Sequence, residues 1–127
     1  MIPTEYEECC AFSQWLKLKN ITHHHIASES QSGRYGAIRG AKLKRMGQSR
    51  GFPDYLIFIP MKNIIGYRGD KEFIPLATVA VEMKRKKGGK VSEEQKNWLL
   101  TLESAGIETF VAKGTDEAIK FIEERMK

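Results

Sequence analysis

Along Val79-Ala80-Val81-Glu82-Met83-Lys84 the side chains alternate, with Val79, Val81 and Met83 pointing one way and Ala80, Glu82 and Lys84 the other. This pattern predicts a strand buried on one face that carries a carboxylate and an amine side by side on its other face. Upstream, Gly51-Phe52-Pro53-Asp54 leads into the apolar run Tyr55-Leu56-Ile57-Phe58-Ile59, a second strand with an acid at its entrance. Antiparallel pairing would lay the start of this strand beside the end of the other and bring Asp54 close to Glu82.

Helical spacing appears on either side of these strands. Pro3-Thr4 opens a first helix in which Thr4 and Glu7 form a Thr-x-x-Glu capping box, and Cys9, Phe12 and Leu16 recur as an apolar stripe. Glu5 and Glu8 each precede a member of the stripe by four residues and continue its face toward the N-terminus; acids in a first turn also complement the helix dipole. Residues 21–27 read as a strand in which His23, His24 and His25 alternate faces. They cannot all reach one ion from a single side, so a mixture of exposed and hydrogen-bonded imidazoles is expected in place of a zinc site.

Residues 63–67 and 72–76 flank Arg68-Gly69-Asp70 as an extra hairpin, with Pro75 suited to an edge. Ser92 and Gln95 form a second capping box, opening a helix whose Trp98, Leu99 and Leu102 face inward and which Gly106 ends. Gln95 leans toward the core side of that helix, although capping alone explains it. Residues 107–112 read as a strand, and Thr115 is expected to cap a last helix with Ala118, Ile119, Ile122 and Met126 inward. Helix, four or five strands, helix, strand, helix predicts an α/β domain with a mixed central sheet flanked by helices.

At 127 residues the chain suits one domain that buries its own core. No apolar run approaches a membrane span and no signal sequence opens the chain, so a cytoplasmic location is expected. Cys9 and Cys10 are helix neighbours whose side chains diverge, which predicts reduced, partly buried thiols. The formal net charge is +5, which is compatible with a polyanionic partner. Residues 28–51 hold Arg34, Arg39, Lys42, Lys44, Arg45 and Arg50 against the single acid Glu29, an excess equal to the whole net charge. This Gly- and Ser-rich stretch is read as a backbone-phosphate clamp. A second basic cluster, Arg85, Lys86 and Lys87 with Lys90, follows the central strand.

Carboxylates converging in a basic setting are reconciled by a hard cation. Magnesium takes oxygen ligands, and one or two carboxylates plus a substrate phosphate hold it. It polarises phosphoryl oxygens and activates water, which Lys84 beside it could orient or deprotonate. Phosphodiester hydrolysis follows from that chemistry.

Pro53-Asp54 followed by Glu82-Met83-Lys84 resembles the PD-(D/E)XK nuclease superfamily, whose core order of helix, three strands, helix and strand matches the elements above. More narrowly, the first-helix Glu, the Gly-Phe-Pro-Asp turn, the Glu-Met-Lys strand and Val91-Ser92-Glu93-Glu94-Gln95 are similar to the virus-type replication-repair nuclease (VRR-NUC) domain over nearly all of the chain, a single domain of residues 1–127. The resemblance implies a restriction-endonuclease-like core with an extra hairpin and a C-terminal helix. It implies Asp54 and Glu82 as metal ligands together with the backbone carbonyl of Met83, Lys84 acting on the attacking water, and Gln95 supporting the site. The first-helix acid maps to Glu5 by its distance from Trp15-Leu16, with Glu8 as the alternative. It further implies Mg2+, with Mn2+ as a substitute, and a homodimer that cuts branched DNA such as four-way (Holliday) junctions in DNA repair, in a bacterial or phage-infected cell. The insertion at residues 61–75 departs from relatives with a shorter turn.

Two other functions fit parts of the pattern. A non-catalytic DNA-binding module on the same fold would be marked by loss of Asp54, Glu82 or Lys84, and all three are present. An enzyme of small phosphorylated substrates would favour a Gly-rich loop opening a helix, and residues 33–40 contain no Walker-type Gly-Lys-Ser/Thr.

Overall fold

The computed structural model describes residues 1–26, 38, 41, 42, 45–47 and 50–127. In chain order the elements are α1 (Glu5–Leu18), β1 (Thr22–His25), β2 (Tyr55–Pro60), β3 (Gly66–Arg68), β4 (Lys71–Phe73), β5 (Leu76–Lys84), α2 (Glu93–Ser104), β6 (Glu108–Lys113) and α3 (Thr115–Arg125). Both expected capping boxes form. Thr4 accepts from the Glu7 N–H at 3.1 Å and Ser92 from the Gln95 N–H at 3.1 Å, with the reciprocal Glu and Gln contacts present.

The central sheet has the order β1-β2-β5-β6, antiparallel at its first two pairings and parallel between β5 and β6. A parallel neighbour needs a crossover, which α2 supplies. Removing the β3–β4 ribbon leaves helix, three strands, helix, strand and a final helix, the order expected from the sequence. The ribbon continues the β2–β5 hairpin past Pro60 and Leu76, its root closed by the Met61 N–H donating to the Pro75 carbonyl at 2.8 Å.

Alternation decides the core. Tyr55, Ile57 and Ile59 of β2 and Val79, Val81 and Met83 of β5 share one face, covered by Phe12 and Leu16 of α1 and by Ala118, Phe121 and Ile122 of α3. Burying each large apolar side chain contributes roughly 1.5–3 kcal/mol, so this face carries most of the stability.

Three expectations are corrected here. The β5 strand is not half exposed: residues 79–84 are all buried. It lies between β2 and β6, and the turn before β2 and the first turn of α2 close over the face that carries Glu82. Gly51 makes that closure possible. It has φ +90°, and a Cβ there would lie 2.6 Å from the Glu94 carbonyl carbon and 2.7 Å from the Gln95 nitrogen. Thr115 does not cap the last helix. Gly114 is the N-cap, and the carboxylate of Glu8 on α1 accepts from the Thr115 N–H at 3.3 Å and its hydroxyl at 2.9 Å. Nor are the thiols alike, because Cys9 is half-buried whereas Cys10 is exposed. Among the described residues no helix is long and apolar enough to cross a membrane.

Candidate active site

The β2–β5 ladder ends with Tyr55 opposite Val81. Beyond it the Asp54 side chain takes the place of backbone, its Oδ2 accepting from the Met83 N–H at 2.7 Å. The Asp54 carbonyl accepts from the Ile26 N–H at 2.7 Å, so β1 and β5 both fasten this residue. A strand residue presents its N–H and C=O to the same edge, which directs the Met83 carbonyl toward Asp54 as well.

Glu82 is 2% exposed, and its Oε2 accepts from Gln95 Nε2 at 3.2 Å. Gln95 Oε1 in turn accepts from the Ser92 N–H at 2.8 Å. One side chain thus closes the capping box of α2 and orients the buried carboxylate. Lys84 Nζ lies 3.6 Å from the same Glu82 oxygen. Glu5, exposed in the first turn of α1, reaches over the end of the sheet, and carboxylate oxygens of Glu5, Asp54 and Glu82 lie within 4.8 Å of one another.

Three acids at this spacing repel one another, and two of them, Asp54 and Glu82, are held out of water. Burial raises the Glu82 carboxyl to about 8, with the neighbouring Asp54 charge adding to the rise and Lys84 opposing it. Burial likewise lifts Asp54 above the usual carboxylate range, opposed by the Met83 N–H. Glu5 is raised by burial and by the Asp54 charge. Lys84 is the one cation paired with Glu82 among the described residues. An all-oxygen donor set with surplus negative charge is what a hard divalent cation requires.

Of the two first-helix acids, only Glu5 belongs to this cluster. Glu8 is 5% exposed and faces α3, where its carboxylate meets Thr115. The described basic residues of the two clusters are exposed. Arg85, Lys86, Lys87 and Lys90 are exposed on the turn that follows β5, and Lys42, Arg45 and Arg50 are exposed before β2. Arg34, Arg39 and Lys44 lie outside the described residues.

The structure adds residues that the pattern alone did not single out. On β1, register puts His23 opposite Ile57 and His25 opposite Tyr55, so both face α1. His23 Nδ1 donates to the Ile21 carbonyl at 2.7 Å, while His25 is exposed and set edge-on to the Tyr55 ring at 4.9 Å. The buried Tyr55 hydroxyl donates to the Cys9 carbonyl at 2.9 Å, which leaves Ser13 Oγ to donate to it at 2.6 Å. The signal for this arrangement was the row Glu5, Cys9, Ser13, Lys17 at i, i+4 spacing, adjacent to the buried row Glu8, Phe12, Leu16.

The family model of the VRR-NUC domain matches residues 2–116. A solved structure described as a VRR_NUC domain protein superposes with a TM-score of 0.68 at 25% sequence identity, over 97% of this chain and 88% of that one. Among curated protein sequences none matches the chain. With the α1-to-β6 core, the Asp54 turn and the Glu82-Met83-Lys84 strand all inside the matched span, this chain belongs to the VRR-NUC family, a nuclease-type, DNA-acting domain.

Proposed function

We propose that the chain is a magnesium-dependent endodeoxyribonuclease that hydrolyses phosphodiester bonds of branched DNA, four-way junctions included, as a homodimer in the cytoplasm. The observation that carries this reading is the convergence of Glu5, Asp54 and Glu82 within 4.8 Å, with the Lys84 amine 3.6 Å from Glu82. Glu5, Asp54, Glu82 and the Met83 carbonyl would hold Mg2+, with Mn2+ as a substitute. When bound, the ion supplies Lewis-acid polarisation of a phosphoryl oxygen and a lowered pKa for water.

The chain's own groups do the rest. Lys84, buried beside Glu82, orients the attacking water and exchanges its proton. Gln95 holds Glu82 in one rotamer. Arg85, Lys86, Lys87 and Lys90 contact backbone phosphates and position the duplex without reading its sequence. On and beside the β3–β4 ribbon, Ile65 is 58% exposed and Tyr67 and Ile74 64% each. These exposed apolar side chains suit a two-fold contact with a second copy, and two sites related by such an axis suit paired incisions in a symmetric junction.

The test is incision of end-labelled four-way junction, duplex and single strand with Mg2+, Mn2+ or EDTA, by the wild type and Asp54→Ala. Metal-dependent cutting of the junction, lost in the variant, is expected. Tight binding without incision in either metal would replace the enzyme by a DNA-binding module.

A further inference from the structure

Glu8 lies outside the carboxylate cluster, yet its own surroundings oppose folding. It is 5% exposed, and its Oε2 has no hydrogen-bond partner among the described residues. A buried acceptor without a donor is unfavourable, and the helix row it begins continues through the fully buried Phe12 and Leu16. An apolar side chain of similar length at this position would simply extend the core. Packing therefore does not call for a carboxylate here.

Its other oxygen shows what the carboxylate does. Glu8 Oε1 accepts from the Thr115 N–H at 3.3 Å, and the Thr115 hydroxyl shares its hydrogen between Oε1 at 2.9 Å and the Glu8 backbone carbonyl at 2.8 Å. Such contacts at a helix start ordinarily come from the side chain of the N-cap residue. Here the N-cap is Gly114, with φ +95°, and a Cβ there would lie 2.6 Å from Glu8 Oε2 and 2.8 Å from Lys86 Cγ. Position 114 has no room for a side chain, and α1 supplies the capping group instead. The Gly114 N–H is engaged as well, donating to the Lys84 carbonyl at 2.9 Å. Gly114 and Thr115 thus tie the first helix to the last residue of β5.

Both ends of this tie carry chemistry. Glu5 stands three residues before Glu8, about 4.5 Å along the helix axis, in a first turn of the kind that frays when nothing fastens it. Lys84 is held at its carbonyl by Gly114 while its Nζ lies 3.6 Å from Glu82 Oε2. The packing of Phe12 and Leu16 is non-directional and lets α1 slide or roll on the core; the hydrogen bonds of Glu8 are directional and fix where its first turn rests.

We propose that Glu8 is a positioning residue of the carboxylate centre: with Thr115 it clamps the first turn of α1 to the start of α3, and so sets Glu5 toward the cation and secures the Lys84 end of β5. This rests on the nuclease reading.

The test titrates Mn2+ into DNA-free wild type, Glu8→Leu, Glu8→Gln and Thr115→Val, reading the free ion by electron paramagnetic resonance. Denaturant midpoints in EDTA and the rate of junction cleavage at saturating Mn2+ are measured beside it, and the Mn2+ concentration at half-maximal cleavage gives the affinity in the presence of DNA. Glu8→Leu should unfold at or above the wild-type midpoint, yet bind Mn2+ about tenfold more weakly and cut about tenfold more slowly, the lower end of what loss of a supporting partner does to a metal site. Glu8→Gln keeps an acceptor for Thr115 and should stay within about threefold of wild type in both. Thr115→Val removes the shared hydroxyl and should shift Mn2+ affinity in the same direction by a smaller factor; it decides the matter if Glu8→Leu does not fold. Wild-type Mn2+ affinity in the folded variants, or a fall in midpoint without a fall in affinity, makes Glu8 a helix cap only and overturns the proposal while the nuclease stands. If Mn2+ affinity depends on Glu8 but no DNA is cut, the clamp stands and the nuclease reading falls; a wild type that neither binds Mn2+ nor cuts overturns both.

Discussion

The hairpin of β2 and β5 ends differently at its two extremities. At one end Asp54, Glu82 and Lys84 are 8%, 2% and 7% exposed, charged groups held out of water. At the other, on and beside the β3–β4 ribbon, Ile65, Tyr67 and Ile74 are 58%, 64% and 64% exposed, apolar groups held in it. Each end reverses the ordinary preference of its residues, and neither arrangement helps the chain fold. The middle of the same strands does that, through Ile57, Ile59, Val79 and Val81. These two reversals are where the proposed chemistry and the proposed contact with a second copy are placed.

The sharpest way to break the comparison is at Lys84. Lys84→Ala should lower the cleavage rate by roughly 10²–10⁴-fold, the usual contribution of a positioned proton-transfer group, while DNA affinity in Ca2+ stays within a few-fold. Normal turnover at saturating DNA with weakened binding would make Lys84 a phosphate contact instead.

A second prediction concerns the strain of gathering three acids. Glu82 has its folded-state value raised from 4.5 to about 8. The stability it contributes is therefore complete below its unfolded value and is lost as pH rises through the folded one. In EDTA, the protein should lose on the order of a few kcal/mol of unfolding free energy between pH 5 and pH 8.5, and the loss should be smaller with Mg2+. The Asp54 and Glu5 shifts run in the same direction. Denaturant titrations across that range decide it, and a curve indifferent to pH and to Mg2+ would count against a charge-crowded cation site.

The smallest effect on the folded chain is expected at the other end. Tyr67→Lys combined with Ile74→Lys changes exposed side chains and should leave the unfolding free energy within about 1 kcal/mol. It should nonetheless weaken self-association about 100-fold. Sedimentation velocity at micromolar concentration checks this, and a wild type that is already monomeric would remove the ribbon's assigned partner.

How far the molecule could be read from its residues differs between these regions. The spacing of Glu82 and Lys84 put both on one face, and the two apolar runs implied the pairing that sets Tyr55 opposite Val81 and Asp54 next to Glu82. The site was legible because its parts lie on a short-range pattern. Burial of that face was not legible. Period-two alternation reports that the two faces differ, and a charged face reads as solvated unless the chain that closes over it is known. Here the closure depends on Gly51 resting on the backbone of α2, a contact between residues far apart in sequence. The cap of α3 was missed for the same reason, because Glu8 reaches it from α1 across 107 residues.

By itself, then, the sequence determined the capping boxes, the strand alternation and the shared face of Glu82 and Lys84, since each is settled by neighbours a few bonds or one helical turn away, while Asp54 joined them through the pairing that two adjacent apolar runs implied. The tertiary structure alone decided between Glu5 and Glu8. Three residues apart, they are about 60° apart around the helix, on adjacent rows that continue as Cys9, Ser13, Lys17 and as Phe12, Leu16. Which row meets the end of the sheet and which meets α3 depends on how the whole helix is laid across the core. That packing directs Glu5 to the carboxylate cluster, turns Glu8 to the start of α3, and opens a groove beside Tyr55.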